Sequence, residues 1–188
     1  KRRFPRSRIG FHGPFPSRFP EYYPDSDFVL IGEAEAFFMN EFKDLAQLEG
    51  SVLVGSLTDM DELPSPNFNN LPVEEYSYVP ANRHKNFVAM YSSKGCPYSC
   101  RFYCTYGEYQ GSKIRQRSAK RVVDDMHALH DRYGVRAIQF RDPVFGLKVG
   151  FIRDFCSELR RRPVAIKWGV ETRVDVVSKR DLQEMFDV

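Results

Sequence analysis

Residues 87–104 read FVAMYSSKGCPYSCRFYC. Phe87 to Tyr91 has the apolar and aromatic character of a short strand. The chain then enters an irregular loop that carries Cys96, Cys100 and Cys104, three of its four cysteines; Cys156 stands alone far downstream. A disulfide framework spreads its cysteines to close long loops. Three within one short loop point instead to thiolates gathered on one metal centre in a reducing compartment. The spacing lets a single loop wrap three corners of an iron–sulfur cube, and Gly95 and Pro97 suit the tight path. A [4Fe–4S] cube usually takes four cysteine thiolates. Three leave one iron open, which means substrate or cofactor chemistry. A zinc site would want a second cysteine pair or histidines. No second pair follows, and His127 and His130 fall on the next helix, so zinc is the weaker reading.

Downstream of the loop the pattern repeats. Ser118 predicts a helix N-cap. Val122, Met126, Leu129 and Tyr133 recur on one helical face, and Gly134 marks its end. Val135–Phe140 reads as a strand. A second helix carries Ile152, Phe155, Cys156 and Leu159 on one face and stops at Arg160-Arg161-Arg162-Pro163, basic residues and proline where a helix end favours them. Ala165–Val170 is a third strand, and Ser178 caps a third helix. Strand and helix alternating three times predict a parallel sheet, in which sites form at the carboxyl ends of the strands. The cysteine loop follows the first of these strands.

Upstream, Arg8–Phe11 and the continuous apolar run Phe28–Ile31 predict two strands of an open α/β sheet. Glu33 to Leu45 predicts a helix, with Phe37, Phe38, Phe42 and Leu45 in its apolar stripe and Glu33 and Glu35 in its first turn. Residues 48–85, punctuated by Pro64, Pro66, Pro72 and Pro80, read as an ordered linker. The domain expectation is therefore 1–47, a 48–85 connection, and 86–188.

Hydrophobic residues make up 42% of the 188 and the net charge is only +3. A core is expected, and a polyanionic partner is not. The basic run Lys113, Arg115, Arg117, Lys120, Arg121 reads as a solvated loop and helix start. No apolar run reaches the ~18 residues of a membrane helix, and Pro5, Gly10, His12 and Pro14 break any signal-like segment after Lys1-Arg2-Arg3. A cytoplasmic protein is expected.

The segment Gly95-Cys96-Pro97-Tyr98-Ser99-Cys100-Arg101-Phe102 resembles the signature of radical S-adenosylmethionine enzymes, with Tyr103 lengthening the second gap to three residues. The resemblance implies that the amino and carboxylate groups of S-adenosylmethionine bind the open iron. It also implies that the cofactor is cleaved reductively to a 5′-deoxyadenosyl radical. Phe102 or Tyr103 is then the aromatic beside the adenine. Asp142 is the acidic residue near the cofactor's amino group, with Glu171 and Arg173 past the third strand as further contacts.

Upstream, Ile9-Gly10-Phe11-His12-Gly13-Pro14, Gly32-Glu33-Ala34-Glu35 and Asp59-Met60-Asp61-Glu62-Leu63-Pro64-Ser65-Pro66 resemble the end of a cobalamin-binding domain and its connector. This implies roles for Gly13, Gly32 and Glu33 toward the corrin; His12 lacks the context of a cobalt ligand. The fold class implied is α/β: the C-terminal end of a Rossmann-like domain, then the first three βα units of a partial TIM barrel. The piece reads as truncated at both ends and inactive alone. The expected activity is cobalamin-dependent methyl transfer to an unactivated carbon of a small-molecule substrate, with flavodoxin or ferredoxin as electron donor. The alternatives are radical chemistry without corrin binding, an RNA-modifying or nucleic-acid-binding protein, and a non-catalytic metal-binding module.

Overall fold

The structure is a computed structural model that describes residues 7–41, 45–78, 82–100 and 102–188. The chain divides into two compact units. One comprises residues up to Thr58 together with Gly95–Lys113; the other comprises Asp59–Lys94 and Ile114–Val188.

The first unit is built on a parallel sheet of β1 (Gly10–Phe11), β2 (Phe28–Ile31) and β3 (Gly50–Leu53), in that order. The apolar run Phe28–Leu30 is buried at its centre. Asp27 accepts a bond from the Ile9 amide at 2.7 Å and so pins the β1–β2 register. Helix α1 (Pro14–Arg18) follows β1, with proline at its first position. A 3-10 turn, Pro20–Tyr22, comes next.

The helix expected from Glu33 to Leu45 is not continuous. It comprises one turn, α2 (Ala34–Ala36), a wide π turn (Phe37–Glu41) and a 3-10 turn (Leu45–Gln47); residues 42–44 lie outside the described residues. The wide turn lets Phe37 join Phe28, Leu30, Ala34 and Val54 in the core while Phe38 faces outward. Leu45 is also exposed, so the expected stripe is only partly inward. Strand β3 lies in the stretch expected to be linker: four backbone pairings join it to β2, and the Val54 amide extends the ladder to Ile31 at 2.9 Å. Within Gly95–Lys113, α3 (Tyr106–Tyr109) follows the cysteines.

The second unit begins with the antiparallel pair β4 (Ser77–Tyr78) and β5 (Asn82–Lys85). A parallel sheet of β6 (Phe87–Met90), β9 (Ala137–Phe140) and β10 (Lys167–Gly169) follows, with β9 central. Between β6 and β9 lie the short strands β7 (Ser93–Lys94) and β8 (Arg115–Gln116) and helix α4 (Ala119–Tyr133). Helices α5 (Phe151–Arg161) and α6 (Lys179–Phe186) flank β10. Val88, Met90, Ile138, Phe140 and Trp168 form one core with Val122, Met126 and Leu129 of α4 and Phe155, Cys156 and Leu159 of α5. Both crossover helices therefore share one face of the sheet, as βαβ units of a barrel do.

The caps follow the sequence. Ser118 Oγ accepts the Arg121 amide at 3.1 Å, Gly134 ends α4 in the left-handed region, and Ser178 and Asp181 form a capping box on α6.

The segment before Pro66 is anchored rather than loose. Asp61 accepts the Ser118 amide at 2.8 Å, at the positive end of α4. Ser65 donates to Asp125 at 2.6 Å, and Arg121 donates to the Leu63 carbonyl at 2.7 Å. Among the described residues, no helix is long and apolar enough to cross a membrane.

Candidate functional site

The cysteine loop is closed by its own backbone. Cys96 donates its amide to Gly111 O at 3.0 Å, and Gly95 donates to Gln110 Oε1 at 3.1 Å. Gly95 has φ +86°, and a Cβ there would stand 2.1 Å from Lys113 O, so the close approach requires glycine. All three loop cysteines are free thiols. Cys96 is buried, Cys100 and Cys104 are partly exposed, and the Cys104 amide donates to Cys100 O at 3.2 Å. Among the described residues, no three His, Cys, Asp or Glu side chains converge as they would on a single metal ion. Phe102 and Tyr103, expected beside the adenine, are 97% and 80% exposed.

Asp142, expected near the cofactor's amino group, is 1% exposed and turned toward two serines. It accepts the Ser92 amide at 2.7 Å, the Ser92 hydroxyl, and the Ser93 hydroxyl at 3.0 Å. Burial pushes its carboxyl above the usual range, against the lowering effect of these bonds. Glu171 is exposed and paired with Arg141; Arg173 pairs with Asp175 at 2.8 Å. Glu171 and Arg173 are engaged in these ion pairs, while Asp142 is engaged by Ser92 and Ser93.

The basic run departs from the expected solvated loop. Arg115 and Arg117 are buried, and Arg117 is ion-paired with Asp125 at 2.6 Å. Lys120 pairs with Asp124 at 2.7 Å.

In the first unit, a cavity of about 530 Å³ opens at the carboxyl ends of the strands, lined by Phe15, Arg18, Phe19, Gly32, Leu53 and Tyr109 among others. This is where ligands bind in open α/β sheets. Gly32 has φ +114°, and a Cβ on it would lie 2.8 Å from Val54 O; its amide donates to Ser17 Oγ at 3.1 Å. Gly13, at φ +119°, starts α1 and has open space beside it. Glu33 is buried at the N-cap of α2.

A helix between the first two strands fits the sequence pattern, but the aromatic residues around α1 were not singled out from sequence. Phe15 and Phe19 are 5.2 Å apart and Phe11 and Tyr23 4.3 Å apart, in a cluster beside the cavity. Proline after Gly13 was the available helix-start signal.

No family model matches the chain. An uncharacterized methyltransferase of Pyrococcus horikoshii is 28% identical over 131 residues, covering 69% of this chain and 27% of the relative. An anaerobic magnesium-protoporphyrin IX monomethyl ester cyclase of Cereibacter sphaeroides is 28% identical over 92% of this chain and 31% of the relative. Among solved structures, the cobalamin-dependent S-adenosylmethionine radical enzyme OxsB, with aqua-cobalamin and S-adenosylmethionine bound, matches with a TM-score of 0.60. The identity is 18%, over 91% of this chain and 26% of that one. The chain thus spans about a quarter to a third of the length of these proteins. The chain is thus similar in sequence to a methyltransferase and to a cyclase, and in its mixed α/β fold to part of a cobalamin-dependent S-adenosylmethionine radical enzyme.

Proposed function

We propose that Cys96, Cys100 and Cys104 hold a [4Fe–4S] cluster whose fourth iron binds S-adenosylmethionine, and that the first unit contributes to a cobalamin site. In this reading β6, β9 and β10 are the first three strands of a radical barrel. Strands β1–β3 are the end of a corrin-binding sheet, with β3 added to the two strands read from sequence. The observation that carries it is the loop itself: three unpaired thiols on a backbone closed by Gly95, Cys96, Gln110 and Gly111. When bound and reduced, the cluster supplies the electron that splits the sulfonium of S-adenosylmethionine into methionine and a 5′-deoxyadenosyl radical.

The chain's own residues do the holding. The loop thiolates supply three ligands, and the partly exposed positions of Cys100 and Cys104 leave room for a fourth ligand from outside. Phe102 and Tyr103 are free to fold over an adenine. The largely apolar cavity at the ends of β1–β3 suits the nucleotide tail of a corrin; Gly32 lines it, and Gly13 and Glu33 are the chain neighbours of its lining residues Pro14 and Gly32. Methyl transfer to an unactivated carbon of a small molecule is the reaction we assign, in keeping with the Pyrococcus relative. An oxygen-sensitive cluster of this kind belongs in a reducing cytoplasm, served by an electron donor such as flavodoxin or ferredoxin.

A second reading keeps the radical chemistry but runs another reaction, such as cyclisation, without the corrin; the cyclase relative supports the change of reaction. Cobalamin titration separates the two. Cobalamin that binds and shifts its absorbance spectrum supports the first, and no binding by the full protein removes it.

A further inference from the structure

The chain enters the cysteine loop through β7 and leaves it through β8. These strands pair antiparallel, Ser93 opposite Gln116 and Lys94 opposite Arg115. A ladder of two residues a side is marginal by itself. It is reinforced at Ser92, whose amide and hydroxyl donate to Asp142 and whose carbonyl accepts from the Arg117 amide at 2.9 Å and from Gln116 Nε2 at 2.8 Å. The Ser93 hydroxyl adds a third bond to the same carboxylate. The hydroxyls and amides of Ser92 and Ser93 thereby fill most of the acceptor positions of Asp142. Little capacity remains for the amino group of a cofactor, and the side chain is buried.

We propose that Asp142 is a positioning residue for the iron–sulfur centre rather than a cofactor ligand. Through Ser92 and Ser93 it fixes the neck from which Cys96, Cys100 and Cys104 are presented. This rests on the assignment of those cysteines to a cluster. The effect is on loop order. With both ends pinned, fewer conformations remain to be lost when the thiolates gather on one cube. A carboxamide can keep most of the clamp, because the serine hydroxyls rotate to donate or accept. Alanine cannot.

The test is anaerobic reconstitution of the chain with iron and sulfide, followed by a chelator series and by electron paramagnetic resonance of the reduced protein with and without S-adenosylmethionine. Fluorescence of Trp168, the only tryptophan and part of the second unit's core, reports folding in parallel. Asp142→Ala is expected to lose iron at about tenfold lower chelator, the usual scale for a residue that orients metal ligands. Ser93→Ala, which removes a single bond and leaves the core, is expected to show a smaller loss of about fivefold. Asp142→Asn is expected to restore retention and to keep the spectral response to S-adenosylmethionine. Wild-type iron retention in both Asp142→Ala and Ser93→Ala overturns the proposal. So does an Asp142→Asn protein that holds its cluster but no longer responds to S-adenosylmethionine, because that is the behaviour of a cofactor ligand. A wild-type chain that takes up no iron overturns the cluster assignment itself and this inference with it.

Discussion

Arg117, just before α4, and Asp125, in its second turn, meet at 2.6 Å with 5% and 0% of their side chains exposed, beside the segment that leads to Pro66. Ser65 and Arg121 also converge on Asp125, at 2.6 and 3.8 Å. A buried pair of this kind is costly to break from one side, because the remaining charge stays out of water. Asp125→Ala is expected to destabilise the second unit by roughly 3–5 kcal/mol, read as a shift in the urea midpoint of Trp168 fluorescence. A change below about 1 kcal/mol, the scale of an exposed pair, would show that Arg117 reaches solvent.

Gly32 predicts a second, separate effect. Its positive φ and the 2.8 Å approach of Val54 O leave no room for a side chain. Gly32→Ala is expected to cost the first unit roughly 1–3 kcal/mol. Hydrogen exchange at the Val54 amide, bonded to Ile31 O, is the local measurement, and unchanged protection there would contradict the geometry.

The four thiols are expected to separate by reactivity. Cys156 lies in the core, and burial pushes its thiol up to about 11. Cys100 and Cys104 are partly exposed. In the cluster-free chain near pH 8, alkylation of Cys156 should be ~100-fold or more slower than that of Cys100 and Cys104, since the thiolate is the reactive form. Peptide mass spectrometry after timed labelling reads this directly, and early modification of Cys156 would contradict it.

Asp142 gives a pH prediction. Its carboxyl is raised by burial above the ordinary 3.8, so the folded chain keeps this proton to higher pH than the unfolded one. The stability it contributes is complete below 3.8 and is lost as pH rises through the folded value. Asp142→Asn removes that dependence. The unfolding free energy of the wild type minus that of the variant is expected to fall as pH rises from about 4 toward neutrality; a flat or rising difference would contradict it.

The parts legible in the sequence were those set by local pattern. The four-residue apolar run gave β2 its bounds, and Ser118 with Gly134 framed α4. The α5 stripe of Ile152, Phe155, Cys156 and Leu159 is buried as its spacing requires. Strand β3 was hidden because Gly50-Ser51-Val52-Leu53 buries little, with Leu53 80% exposed. The break in the helix after Ala36 was hidden because a π turn preserves an apolar composition while rotating the faces. Arg115 and Arg117 looked solvated because charge in a loop usually is, and a partner such as Asp125 is visible only once α4 is folded. The Asp142 clamp joins residues fifty positions apart, beyond the reach of any local pattern. Asp before proline looked like a turn or a ligand, and neither reading contained the serines.

The central claim is that the loop of Cys96, Cys100 and Cys104 binds a cluster with one open iron. The direct test is anaerobic reconstitution with iron and sulfide, with electron paramagnetic resonance recorded before and after adding S-adenosylmethionine. The account predicts about four irons per chain and a reduced-cluster signal that changes when the cofactor is added. A chain that takes up no iron and instead retains one zinc would contradict it.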